Sequence, residues 1–170
     1  MIFPGQNQGA QRSALVTFGD MANRLNPENP GSLWKSSVDI DALNEMPRNL
    51  ASLMGIEFSA VDDESLSARM PVDERTHQPY GILHGGASVV LAESLGSVAS
   101  NLIIDAEKYI GVGLEVNANH LRPVKSGWVT GVCRAVHIGA KTHVWDIRIH
   151  DEKGKAVCIS RLTVAIVPRS

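Results

Sequence analysis

Apolar residues recur at two spacings along this chain. They fall at every second position in several short runs and almost continuously in one long segment. The runs 56–61 and 66–72 alternate, with Leu66, Ala68, Met70 and Val72 on one face and Ser67 and Arg69 on the other. Asp62-Asp63-Glu64-Ser65 joins them, which predicts a hairpin. The run 113–122 places Leu114, Val116, Ala118 and His120 on one face, and 128–138 follows the turn-like Val124-Lys125-Ser126-Gly127. The run 142–150 sets Trp145, Ile147 and Ile149 against Asp146, Arg148 and His150, and 156–167 returns after Asp151-Glu152-Lys153-Gly154. Between hairpin and meander stands GGASVVLAESLGSVASNLII, residues 85–104, a helix apolar nearly all round and therefore predicted to be buried. Strands in runs, rather than alternating with helices, predict an α+β fold. The expected architecture is a long central helix wrapped by a five- to six-stranded antiparallel sheet. Its open edges invite pairing with a second copy, so the pattern predicts at least a dimer.

The segments before residue 56 carry a weaker signal. Asp39 or Asp41 can cap a short helix with Leu43, Met46, Leu50, Leu53 and Met54 as its stripe, Pro47 kinking or splitting it and Gly55 ending it. Residues 1–34 contain GQNQG and NPENPGS and offer little apolar surface, so they read as an extension, with 35–170 as the single domain. SALVTFGDMANRL within that extension could form a short docked helix.

Composition narrows the function classes. The formal charge of −2 and the absence of basic clusters argue against nucleic acid. The first residues lack a basic region followed by an apolar core, and the only candidate membrane span, 85–104, carries Glu93, Asn101 and several serines and glycines. A soluble, cytoplasmic protein is expected. Two cysteines, Cys133 and Cys158, make neither a disulfide framework nor a metal cluster, so no metal is expected.

The chemistry concentrates around the one charge of the long helix. A carboxylate in an apolar helix must be paired, protonated or facing a cleft. Arg122 or Arg134 could pair with Glu93 in a purely structural role. The neighbours point elsewhere. His84-Gly85-Gly86 stands where a loop enters the helix, and such a start exposes backbone N–H groups that can receive an oxyanion. Gln78 lies in a loop stiffened by Pro79, and Ser97 follows Glu93 by one helical turn. Each residue alone has a bland explanation in packing or turn formation. Together they supply an acid, an oxyanion donor, an orienting imidazole and an amide, the requirements of acyl transfer.

HQPYGILHGGASVVLAESLGS, then GLEVNANHLRPV, HIGAKTHVWDIRIHDEKGK and SRLTVAIV, resembles the hotdog-fold acyl-CoA thioesterases of the glutamate type. The nearest branch comprises 1,4-dihydroxy-2-naphthoyl-CoA hydrolases and 4-hydroxybenzoyl-CoA thioesterases, the former linked to menaquinone synthesis. The resemblance implies a hotdog fold over about residues 33–167 and hydrolysis of aromatic acyl-CoA esters, with no cofactor beyond the CoA of the substrate. It implies that Glu93 is nucleophile or general base, that the Gly85 N–H polarises the thioester carbonyl, that Gln78 and His84 orient thioester and loop, and that Ser97 places water. It implies that Gly86, Gly113, His120, Leu121, Arg122, Pro123, His137, Ile138, Gly139, Ala140, Lys141 and Thr142 hold the substrate and its CoA. Arg122, Lys125 or Lys141 would supply charge for the phosphates, and Gly139 close backbone approach. Ala140-Lys141 departs from the hydroxyl and arginine frequent in the family, and lysine lacks the bidentate fork. The resemblance further implies an active site at a dimer interface, within a tetramer built as a dimer of dimers. Two rival functions are a hotdog 3-hydroxyacyl dehydratase or hydratase and a non-catalytic acyl-CoA-binding module. Gln78, and the lack of a hydratase-type Asp/His pairing, weigh against the first. An extension too short and too weakly basic for a helix-turn-helix weighs against the second as a regulator.

Overall fold

The computed structural model describes residues 30–169; the helix expected within 13–25 lies outside them. Among the described residues two short helices come first, α1 (Ile40–Asn44) and α2 (Leu50–Leu53). The Asp39 carboxylate caps α1 by accepting from the Asp41 and Ala42 N–H groups. Asn49 and Ser52 form a reciprocal capping box on α2. Gly55, at φ +71°, follows in the left-handed conformation that favours glycine. Pro47 breaks the helical phase, so the expected apolar stripe is divided. Leu43 and Met54 pack on the core, whereas Met46, Leu50 and Leu53 are exposed.

The hairpin β1 (Glu57–Val61) and β2 (Ser65–Pro71) leads through a loop to the long helix α3 (Gly85–Ile103). The meander then runs β3 (Tyr109–His120), β4 (Trp128–Ile138), β5 (Thr142–Asp151) and β6 (Ala156–Pro168). All six strands form one antiparallel sheet in the order β1-β2-β4-β5-β6-β3. Leu66, Ala68, Met70, Trp145, Ile147, Ile149, Leu162 and Val164 fill the inner face, as the alternation requires. β3 begins four residues before its alternation predicts and carries a bulge between Gly113 and Glu115. That bulge re-aims Leu114, which is 65% exposed.

By length and composition α3 could cross a membrane, yet half of it is buried in this fold. Leu91, Leu95 and Ala99 lie fully inside. Its rotation is set by close approaches. A β-carbon on Gly96 would stand 2.5 Å from the Leu162 Cδ2, and one on Gly131 2.7 Å from the Leu95 Cδ1. The Trp145 indole N–H donates to the Ser100 hydroxyl at 2.8 Å across the same contact. With that face held against the sheet, Glu93 turns away from the core. It is exposed in the single chain, contrary to a helix buried all round. The reason is β3, an edge strand that covers only one flank of the helix.

Candidate active site

The loop before α3 is a folded scaffold. Gln78 and Gly81 close a turn through Gly81 N–H to Gln78 C=O, and the Gln78 N–H returns to Ile82 C=O. The Thr76 hydroxyl donates to Pro71 C=O, and the Thr76 C=O accepts the His84 N–H at 2.8 Å. His84 is the cap of α3. Its Nδ1 accepts the Gly86 N–H at 2.8 Å, and its C=O accepts those of Ala87 and Ser88. In the neutral ring the proton therefore sits on Nε2. These bonds use the donors of the first turn except one. The Gly85 N–H has no acceptor among the described residues.

That donor opens on a cavity of about 290 Å³ lined by Gln78, Gly85, Ser88, His120, Leu121 and Arg122, with Pro123 and Val157 closing it. The His120 ring lies over Gly85: a β-carbon there would meet Nε2 at 2.6 Å. Only a glycine gives both the free N–H and room for this imidazole. A second group gathers at Glu93. Its carboxylate rests on Gly113 of β3, where a β-carbon would meet Oε1 at 2.6 Å. Arg134 is committed to Glu64 and Asp62, so the alternative structural pairing with Glu93 is not formed by that residue. Ser97 is half-buried one turn on.

Residues 80–158 match the thioesterase superfamily. The 1,4-dihydroxy-2-naphthoyl-CoA hydrolase of Escherichia coli K12 is 52% identical over 136 residues, 79% of this chain and 99% of that protein. The chain belongs to the thioesterase superfamily. The proofreading thioesterase EntH of Cronobacter turicensis is 45% identical over 79% of this chain and 98% of its own. Among solved structures, a mutant thioesterase from Pseudomonas aeruginosa superposes with a TM-score of 0.80 at 60% identity, covering 81% of this chain and all of that one. A thioesterase from Haemophilus influenzae gives 0.77 at 45% identity, covering 80% and 95%. The protein is an enzyme of the thioester hydrolase class, and its fold is the hotdog fold.

Within one chain of this thioesterase the predicted site residues fall into two groups. Gln78, Gly85, His120, Leu121, Arg122 and Pro123 share the cavity, and His84 and Gly86 flank Gly85 in the chain, bonded to each other. Glu93, Ser97 and Gly113 lie apart from them. Glu93 is eight positions beyond Gly85, about 12 Å along the helix axis. The turn after β4 lies three strands across the sheet from Gly113, on the same row. Gly113 is paired with Val164, Val164 with His143, and His143 with Ile138, so one row crosses the sheet to His137–Thr142. That turn is tight: Gly139 N–H donates to Thr142 C=O, and a β-carbon on Gly139 would meet the His137 Nε2 at 2.7 Å. His137, Ala140 and Lys141 are exposed on it. His120 lies seven residues along β3 from Gly113, about 23 Å away.

Two residues of this thioesterase escaped the sequence reading. Ser88 lines the cavity, three positions after Gly85. His143 is 2% exposed, its Nδ1 without a partner among the described residues, beside a cavity of about 400 Å³ at the end of α3. Burial, and then the nearby His137, lower its pKa to about 4, against a backbone hydrogen bond at Gly139. The parity of the β5 alternation carried this signal, since residue 143 shares the inward face of Trp145, Ile147 and Ile149.

Proposed function

We propose that this thioesterase hydrolyses an acyl-CoA thioester carrying an aromatic acyl group, at a site shared by two copies of the chain. The observation that carries the reading is the separation of Glu93 from the free Gly85 N–H within one chain. A catalytic acid about 12 Å from its oxyanion donor cannot act on the same carbonyl. A single operation removes the difficulty. β3 is an open edge, and antiparallel pairing with the β3 of a second copy, Gly113 opposite His120, brings the Glu93 row of each copy to the Gly85 cavity of the other. The same operation sets residues 120–123 of one copy on the sheet row that carries residues 137–142 of the other.

In this arrangement the thioester carbonyl accepts a hydrogen bond from the Gly85 N–H, a contact of a kind worth roughly 3–4 kcal/mol of barrier. The Glu93 carboxylate attacks the carbonyl carbon, the C–S bond breaks, and the CoA thiolate leaves to take a proton from solvent. Water then hydrolyses the mixed anhydride and returns the carboxylate. The other form of the step has Glu93 deprotonate a water that attacks directly, with Ser97 placing that water. Both give free acid and CoA thiol. Gln78 and His84 hold the loop and the thioester. The aromatic acyl class is supported by the 52% identity to a hydrolase named for 1,4-dihydroxy-2-naphthoyl-CoA. Two free, buried cysteines suit a reducing cytoplasm, and further pairing of dimers into a tetramer completes the proposal.

Glu93→Gln, assayed by thiol release from aryl-, short-chain and long-chain CoA esters, tests it. Turnover lowered by well over tenfold, with aryl esters preferred in the parent enzyme, supports the reading. Retention within about tenfold, a barrier change of only about 1.4 kcal/mol, overturns the role of Glu93. Loss of the enoyl absorbance of crotonyl-CoA would reveal the hydratase instead.

A further inference from the structure

Ser88 has a hydroxyl that the fold does not use. The residue is 1% exposed, among Ala87, Leu91 and Ala92 of the buried face of α3. Its N–H donates to His84 C=O, but among the described residues no hydrogen bond reaches its side chain. Buried hydroxyls are ordinarily hydrogen-bonded, and one left without a partner costs stability. A serine inside a helix is also a poorer helix former than alanine. Alanine is the better helix former here, and the Ser88 hydroxyl is spared the burial penalty only because it borders a cavity. Ser88 lines the cavity that holds the free Gly85 N–H, Gln78 and His120.

Position supplies the rest. Residues three apart share a helix face, and helical side chains lean towards the N-terminus. Ser88 thus leans towards the turn that presents Gly85. The other polar groups of that wall are accounted for: His84 Nδ1 is taken by the Gly86 N–H, and the Ala87 N–H by the His84 C=O. Two unsatisfied donors, the Gly85 N–H and the Ser88 O–H, remain on one wall of one cavity. We propose that Ser88 is a further substrate-contacting residue, whose hydroxyl donates a second hydrogen bond to the thioester carbonyl oxygen beside that of Gly85. The inference rests on the thioester reading of this cavity. As charge grows on that oxygen the hydroxyl keeps its proton and strengthens its bond, so its contribution appears in turnover more than in binding.

Ser88→Ala and Ser88→Thr, measured for kcat, KM and Tm on an aryl-CoA ester, decide the matter. The expected result is a kcat for Ser88→Ala lowered at least tenfold, KM within about twofold, and Tm unchanged or raised. Ser88→Thr restores at least part of the kcat. A purely structural serine gives the opposite pattern, with Tm lowered and kcat within twofold, and that result overturns the proposal. Equal kcat losses in Ser88→Ala and Ser88→Thr overturn it too, because the hydroxyl is then not the cause. Glu93→Gln in parallel keeps the two readings separate. If it abolishes turnover while Ser88→Ala leaves kcat intact, the thioesterase site stands and only Ser88 is misassigned.

Discussion

Gly113 leaves empty the volume that the Glu93 carboxylate occupies, with Oε1 2.6 Å from where its β-carbon would be. The pair couples edge strand to central helix at the position of the proposed reagent. Gly113→Ala should therefore act on catalysis without acting on the fold. The displaced atom is the tip of a flexible, exposed side chain, so stability should change by no more than about 0.5 kcal/mol. A carboxylate moved by about 1 Å loses on the order of 100-fold in kcat. Denaturation and kinetics on the same preparation check both halves.

Gly85 and His120 form a second such pair, and their coupling is measurable. Gly85→Ala gains helix propensity of up to about 1 kcal/mol but drives a methyl into the imidazole. Gly85→Ala should therefore be more favourable on a His120→Ala background, by an interaction energy of about 0.5–3 kcal/mol. Urea unfolding of the four proteins gives that energy. Simple additivity would mean that the ring swings aside freely.

Asn101 fastens α3 to β3. Its Nδ2 donates to Ser97 C=O at 2.8 Å, and its Oδ1 accepts the Gly111 N–H at 3.0 Å. Asn101→Ala removes both, at about 0.5–1.5 kcal/mol each. Faster hydrogen exchange at the Gly111 amide is the expected signature. An unchanged rate would mean that another group, such as a partner strand, covers that amide.

His143 gives the stability a pH dependence of known sign. Its folded pKa of about 4 lies below the ordinary histidine value near 6.5, so the unfolded chain binds the proton more readily. Stability should be level above about pH 6.5 and fall as the pH drops towards 4, by at most about 1.4 kcal/mol per pH unit. The carboxylates whose pKa is lowered, Asp62, Asp73, Asp105 and Asp151, lose their contributions only below about pH 4. His143→Gln should flatten the upper window alone, as read from urea midpoints against pH.

Much of the fold was legible because a sheet residue declares its face by parity. Leu66, Met70, Trp145 and Ile149 all point inward as their alternation requires, and Gly127 and Gly154 take the left-handed turns expected of them. The helix α1–α2 region was less legible. Pro47 announced a break but not that Leu50 and Leu53 would be left exposed beyond it. At the site, the loop motif 78–86 identified its own neighbours, since they are local in sequence. That His120 rests on Gly85, or that Gly113 receives Glu93, depends on how a strand crosses a helix, and no spacing encodes it. Ser88 was passed over because a serine in a helix ordinarily reads as a small packing residue.

The order of elements also bears on synthesis of the chain. α3 is complete at Ile103, but four of the six strands that enclose it, β3 to β6, come afterwards and end at Pro168. At about 5–20 residues per second, those 65 residues take roughly 3–13 s to emerge. Through that interval a segment greasy enough to span a bilayer lacks most of the sheet that covers it. The codons after Ile103 are therefore where translation speed should matter most to the yield of folded chain.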